Sequence, residues 1–345
     1  MLLSKKTKGF FIEVNDHSVL AARTTSPAAP LVIEELRSCG VADDKALAEI
    51  LAELQGKRTG QKSYMHATCG IYTPKRIIRR AALDSKRFKD PGYLNEVLVA
   101  QARVEPDKYT MSALTAKTGV DFDLNDPTQK ESLFAGMLTE EVTAVQKKLL
   151  SRGIYPERLE MGTVATLGAL TDYLAFTQSK APTLVLEIDG DSTNSFILSE
   201  SGVDTARPIS QGLDAIVPVV QKELGLKDEE SARKLFFSNT FDFTGMGATL
   251  IKKLLKELQS SIGFYEVQTG QSIGQVICTL LPSKLSWLEG AIASQLGVTL
   301  LKIDYVPWLK QRGITFSGPA ASKEIDTRWL GLISLMIKHN HAVAS

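Results

Sequence analysis

Ile12-Glu13-Val14-Asn15-Asp16-His17-Ser18-Val19 and Leu186-Glu187-Ile188-Asp189-Gly190-Asp191-Ser192-Thr193 follow one pattern. Each runs apolar, Glu, apolar, Asn or Asp, two variable positions, Ser. Each also lies at a strand–turn–strand junction. Residues 10–14 and 19–24 are β-prone runs around the first polar turn, and residues 184–188 and 194–199 flank the second. The two windows stand about half a chain apart. Duplicated halves leave such an echo, and so does chance in two short windows.

Outward from these hairpins, strand and helix signals alternate. Residues 43–54 place Leu47, Ile50, Leu51 and Leu54 at helical spacing behind Asp43 and Asp44. Residues 65–72 and 76–83 read as strands around Thr73-Pro74-Lys75, and residues 132–137 as another. Thr139 then caps a helix whose Val142, Val145 and Leu149 share a face, ended by Gly153 and Pro156. An apolar helix over 163–176 follows, and Ser179-Lys180-Ala181-Pro182 breaks the chain. The second half predicts helices near 213–224, 227–236, 248–265, 286–296 and 326–338, with strands at 275–281 and 298–303. In the 248–265 helix, Ile251, Leu254, Leu255, Leu258, Ile262 and Tyr265 form one apolar stripe, which predicts a core-facing side. This is an α/β chain.

Composition removes several function classes. The 345 residues carry 40 Lys and Arg against 39 Asp and Glu, a net charge of +1. That balance argues against a nucleic-acid binder resting on bulk positive charge. Apolar residues at 43% and charged ones at 23% describe a folded globular chain. Cys39, Cys69 and Cys278 are too few and too far apart for a disulfide framework or a CxxC metal site, which fits a reducing compartment. The first residues have charge and apolar groups in the wrong order for a secretion signal. No apolar run approaches the ~18 residues of a spanning helix. The expectation is a cytoplasmic protein that reaches a membrane only through a partner.

The order of elements resembles the actin-like family, and within it the PilM family of cytoplasmic type IV pilus assembly proteins, related to the FtsA division proteins. Six stretches carry the resemblance in sequence order. Residues 9–19 resemble the family's GIDIGSSSVK, and residues 184–195 its LLVDIGAETTS. Residues 150–160 are similar to its LLEAAGLKPVAVD. Arg207 to Asp214 with the following Leu224-Gly225-Leu226 resemble its arginine–glycine and LGL signals. Ser260, Phe264 and Tyr265 fall where the family has a serine followed by Phe-Tyr, and Arg328-Trp329-Leu330-Gly331-Leu332 opens the place of its final helix.

The resemblance implies a two-lobed RNase H-like (actin-like ATPase) fold. The first lobe would span 1–180 with a subdomain inserted at about 84–158. The second would span 181–345, with an insertion at about 213–268. It implies ATP held between lobes by glycine-bearing hairpins, whose backbone amides approach the phosphates and whose acidic residues order Mg²⁺ or water. The positions that carry this over are Glu13, Asn15, Ser18, Glu187, Asp189, Gly190, Ser192 and Thr193.

Those loops depart from the pattern. Glu13 and Glu187 replace the hairpin aspartates and set the carboxylate one methylene further out. Asn15 and Asp189 replace glycines; both residue types tolerate left-handed backbone, but Asp189 sets a negative charge beside the phosphates. Where the family has a glycine-rich adenosine turn, this chain has Thr279-Leu280-Leu281-Pro282-Ser283-Lys284-Leu285, which removes the glycine conformations. The expectation is a pseudo-ATPase with no cofactor, or weak ATP and Mg²⁺ binding, and no catalytic or metal residues.

By resemblance, the function is a scaffold for a type IV pilus or related secretion machine. It would grip the N-terminal cytoplasmic segment of a PilN-like single-span inner-membrane protein, with pilus ATPases as further partners and no nucleic acid or direct membrane insertion. Candidate groove regions are residues 67–83 and 132–145. The alternatives are a functional actin-like ATPase and an FtsA-like division protein. The latter group carries a C-terminal membrane helix, which residues after Leu330 do not suggest.

Three local patterns have plainer readings. Gly245-Met246-Gly247 lacks the rest of a phosphate loop and reads as a helix start. His339 and His341 have no acidic or cysteine companions for a metal. His66 and Cys69 lie three apart on a strand, hence on opposite faces, so Cys69 reads as a buried thiol.

Overall fold

The computed structural model describes residues 8–56, 64–238, 240–321 and 323–337. The chain opens with β1 (Gly9–Val14), β2 (Ser18–Thr24), β3 (Leu31–Gly40), α1 (Asp44–Gln55) and β4 (Met65–Ile71). Next come β5 (Ile77–Ala82), α2 (Tyr93–Val97), β6 (Tyr109–Leu114) and β7 (Glu131–Leu138). Then α3 (Thr139–Ser151), β8 (Ile154–Met161) and α4 (Gly162–Phe176) close the first stretch. The second contains β9 (Thr183–Ile188), β10 (Thr193–Ser199), β11 (Gly202–Ile209), α5 (Val217–Glu223) and α6 (Glu229–Phe236). It continues with α7 (Gly247–Leu250), α8 (Lys252–Thr269), β12 (Gln275–Thr279), α9 (Trp287–Leu296) and β13 (Thr299–Leu300). The last elements are α10 (Tyr305–Gln311), β14 (Ile314–Phe316) and α11 (Leu330–Ser334).

Two compact units result, one of Met1–Phe176 with Asp304–Ser345 and the other of Thr177–Ile303. The first holds a sheet ordered β14-β3-β2-β1-β4-β8, the second a sheet ordered β11-β10-β9-β12-β13. With β14 set aside, the orders coincide strand for strand: an antiparallel meander, then two parallel strands. Register coincides as well. Val14 pairs with Val19, and its counterpart Ile188 pairs with Thr193. The sequence echo is therefore a structural equivalence between the halves.

The boundaries differ from the sequence expectation. Residues 304–337 return to the first unit, because β14 pairs in parallel with β3 and Asp172 of α4 anchors the segment. Its carboxylate accepts from Trp308 Nε1 and Arg312 Nε, each at 2.8 Å. The inserted sheet is three-stranded, ordered β5-β7-β6, and it begins at Ile77 rather than near residue 84. It also ends before residue 158. Val145 and Leu149 of α3 pack into the main core of the first unit, and β8 is a strand of the main sheet. Pro156 is tolerated there because β8 is an edge strand. The helices α5, α6, α7 and α8 within 213–268 share one apolar core with β9, β10 and β12.

Local chemistry accounts for the framing helices. Asp43 accepts from Ala46 N at 2.9 Å to cap α1, and Gly56 ends it at φ 65° with its N–H turned back on Ala52 and Glu53. Nine residues of α4 are buried, including Leu167, Leu170, Tyr173 and Leu174, as expected of a helix apolar on all sides. In α8, Leu254, Leu255, Leu258 and Tyr265 are buried, so its apolar stripe is core; Ile262 is half-buried. Gly247 lets α7 approach α9: a Cβ there would stand 2.7 Å from that of Ala291. The Gly245–Gly247 pattern is thus a packing contact. His66 is exposed and Cys69 buried on the opposite face of β4. His339 and His341 lie outside the described residues.

Candidate functional site

The β1–β2 turn closes with Asn15 N donating to Ser18 O at 3.1 Å. Its interior is filled by the Asn15 side chain. Asn15 Oδ1 accepts from His17 N at 3.0 Å, Ser18 N at 2.9 Å and Ser18 Oγ at 3.2 Å. Asn15 Nδ2 in turn donates to Glu13 Oε1 at 3.1 Å. Glu13, Asn15 and Ser18 are thus brought into one network, with Glu13 and Asn15 buried. Asn15 is not left-handed, so it replaces a glycine by supplying an oxygen to the turn amides and not by tolerating unusual backbone angles.

Helix α11 seals the same carboxylate. A Cβ on Gly331 would stand 2.2 Å from Glu13 Oε2 and 2.6 Å from Tyr72 Oη. Only glycine allows that approach. Behind Tyr72, the buried Arg76 donates from Nε to Thr163 Oγ1 at 2.9 Å and from Nη1 to Thr73 O at 3.1 Å. Its guanidinium lies 5.4 Å from the Tyr72 ring centroid. Sequence reasoning missed Tyr72, Arg76 and Gly331 as members of this cluster. The available signal was a lone arginine after Thr73-Pro74-Lys75, where a strand was expected to begin.

The β9–β10 turn closes with the equivalent bond, Asp189 N to Ser192 O at 2.9 Å. Here the cover comes from the segment after β11. Leu213 N donates to Asp189 O at 3.0 Å, Asp214 N to Gly190 O at 2.7 Å, and Thr193 Oγ1 to Gln211 O at 2.7 Å. A Cβ on Gly212 would come 2.5 Å from both Gly190 O and Ser192 N. Ser192 Oγ donates locally to Asp191 Oδ1, and Asp214 is ion-paired with Arg233 at 2.6 Å. Glu187 and Asp189 are buried.

The third loop keeps one glycine-like angle without a glycine. Leu280 stands at φ 66°, a left-handed conformation that costs a β-carbon-bearing residue ~1 kcal/mol or more. The expectation that leucine removes this conformation is therefore corrected at that position. Leu280, Leu281 and Leu285 are all buried there.

Binding phosphate on the first turn requires unpaired amide donors, yet His17 N and Ser18 N already point at Asn15 Oδ1. In the second turn, Asp189 is buried, so any anion there would meet a carboxyl in place of the family's glycine. No group of three or more His, Cys, Asp or Glu among the described residues is arranged to hold a metal ion.

The two regional groove candidates are neighbours in space. Residues 67–83 include β5 and residues 132–145 include β7, which pair antiparallel with Ile77 opposite Gly136. β5 is an outer strand of its three-stranded sheet.

No protein-family model matches the chain, and no curated protein sequence matches it significantly. Among solved structures it is similar to a PilM–PilN type IV pilus biogenesis complex, at 19% identity over 97% of this chain and 99% of that one, with a TM-score of 0.65. Weaker likenesses are to a Bacteroides thetaiotaomicron protein with an actin-like ATPase fold (8% identity, 96% of each chain, TM-score 0.47) and to the ethanolamine utilization protein EutJ of Carboxydothermus hydrogenoformans. The EutJ match has 11% identity over 96% of this chain and 92% of that one, with a TM-score of 0.47. The chain has the actin-like ATPase fold.

Proposed function

We propose that this chain is a PilM-type scaffold of a type IV pilus or related secretion machine, holding the N-terminal cytoplasmic segment of a PilN-like single-span membrane protein. The observation that carries the reading is the end-to-end likeness to the PilM–PilN complex, 97% of one chain against 99% of the other. The inserted sheet supports it chemically. An outer strand such as β5 presents a row of backbone donors and acceptors to which an extended segment can add, with side-chain pockets supplying selectivity. No helix among the described residues is long and apolar enough to cross a membrane. In this reading the protein is cytoplasmic and held at the inner membrane by its partner, with pilus ATPases as further contacts.

A fluorescently labelled peptide copying the cytoplasmic N-terminus of that partner should bind the purified chain, and its binding should be lost on substitution along β5. A pull-down that returns a division-ring component and no pilus membrane protein would instead favour an FtsA-like role.

The same reading makes the protein a pseudo-ATPase. Asn15 satisfying the first turn, Asp189 charging the second and leucines filling the third loop all support weak or absent nucleotide binding. Titration with ATP and Mg²⁺ tests this separately from peptide binding. Low-micromolar affinity that Glu187→Ala abolishes would overturn it in favour of a working actin-like ATPase.

A further inference from the structure

Helix α8 has a second face whose chemistry is not that of a solvated surface. Opposite its buried leucines, Phe264 is 64% exposed and Val267 88%, two large apolar side chains adjacent on the helix surface. Ser260 and Gly263 beside them are exposed and small, and a Cβ built on Gly263 meets nothing within 4 Å. The result is a projecting ring next to a shallow notch.

Charge on this face runs against the helix dipole at both ends. Lys252, Lys253 and Lys256 occupy its opening turns, where the partial positive charge of the N-terminus repels them, and no acidic residue stands in the first turn. Glu266 lies near the C-terminus at the edge of this face, half-buried and with Oε1 accepting from Ile273 N at 3.3 Å, and the last turn has no basic residue. Each end therefore carries the wrong sign for its own helix and the right sign for the opposite end of an antiparallel neighbour.

We propose that this face of α8 pairs antiparallel with α8 of a second copy of the chain, about a two-fold axis between Ser261 and Ile262. In that register Ser260 faces Gly263 of the second copy, and Lys256 faces Val267. Glu266 stands one residue from the level of Lys256 across the pair, and each Phe264 ring covers the notch of the other copy. Such self-complementarity is what an isologous contact requires. One helix pair buries less than the ~1,600 Å² of a standard stable interface, so the dimer is weak and concentration-dependent.

Sedimentation equilibrium over about 1 to about 500 µM should show a monomer–dimer equilibrium that Phe264→Glu or Val267→Glu weakens at least ~10-fold. Both positions are exposed, and an unchanged thermal melt confirms that those variants fold. Lys256→Glu and Glu266→Lys should each weaken the dimer, and the double variant should restore it. In a Cys39→Ser background, Ser260→Cys mixed with Gly263→Cys should form a disulfide faster than either alone; Cys69 and Cys278 are buried and add little background. A monomer throughout the range, a dimer indifferent to Val267→Glu, or capture of a different protein on this face by a monomeric chain would each overturn the proposal.

Discussion

The two hairpin turns close with the same bond, Asn15 N to Ser18 O and Asp189 N to Ser192 O, yet their interiors are filled from different sources. In the first, one side chain within the turn reaches back to its own amides. In the second, a segment some twenty residues further along lays its backbone over the turn. Local filling depends on a single residue. Non-local filling depends on a glycine that lets two backbones meet. The same turn can thus be filled by two routes, and the routes differ in how they break.

The largest difference should appear at the two sealing glycines. In Gly212→Ala the new carbon meets only backbone atoms, Gly190 O and Ser192 N at 2.5 Å and Asp189 O at 2.6 Å. Backbone in a packed turn cannot step aside, so a loss of about 3 kcal/mol is expected. In Gly331→Ala the clash is with side-chain atoms of Glu13 and Tyr72. Those can shift, and alanine itself favours a helix by ~1 kcal/mol, so the net loss should be nearer 1 kcal/mol. Hydrogen exchange reads each sheet separately. Equal losses would mean that the buried Glu13 is held as rigidly as backbone.

Asn15→Ala should cost about 1–2 kcal/mol by removing the acceptor of two turn amides. Asn15→Asp gives the first turn the chemistry of the second. It keeps the acceptor but replaces the Nδ2 donor to Glu13 with a second carboxylate. Like charges at that separation in a buried site repel, so this variant should be less stable than Asn15→Ala while both carboxyls are ionised and recover as pH falls and one takes up a proton. Urea midpoints at pH 4 and pH 7 measure this. A pH-independent ranking would show that the Glu13–Asn15 bond contributes nothing through charge.

How much of this was legible depended on the range of the interactions. The hairpins showed in sequence because register and pattern are local, and the stripe of α8 showed because its period is helical. The return of 304–337 to the first unit did not. It rests on a three-residue strand and on Asp172 bonding Trp308 and Arg312, none of which leaves a periodic trace. At the site, the departures at Asn15 and Asp189 were visible, but the function of Asn15 was not. An asparagine in place of glycine suggests a backbone angle, whereas here it works through its amide. In sequence Gly331 reads only as part of a closing helix motif, whereas its contact with Glu13 bridges almost the full chain.

The smallest effect at neutral pH is expected from two thiols that occupy matching places. Ile12 of β1 pairs with Cys69, and its counterpart Leu186 of β9 pairs with Cys278. Burial pushes the Cys69 thiol up to about 12, and burial, with a smaller contribution from Glu289, holds Cys278 well above the ordinary thiol range. A folded-state value above the unfolded one means that full stability is present below about pH 9 and is lost as pH rises toward about 12. The slope is at most about 1.4 kcal/mol per pH unit for each thiol. Cys69→Ala should flatten the alkaline loss in the first sheet and Cys278→Ala in the second, whatever each costs at pH 7. Cys39 is half-buried and raised less, so native alkylation at pH 8 should modify it first. If Cys69 reacted as fast, the first sheet would be opening around its central strands. The equivalence of the two cores would then hold for geometry and not for stability.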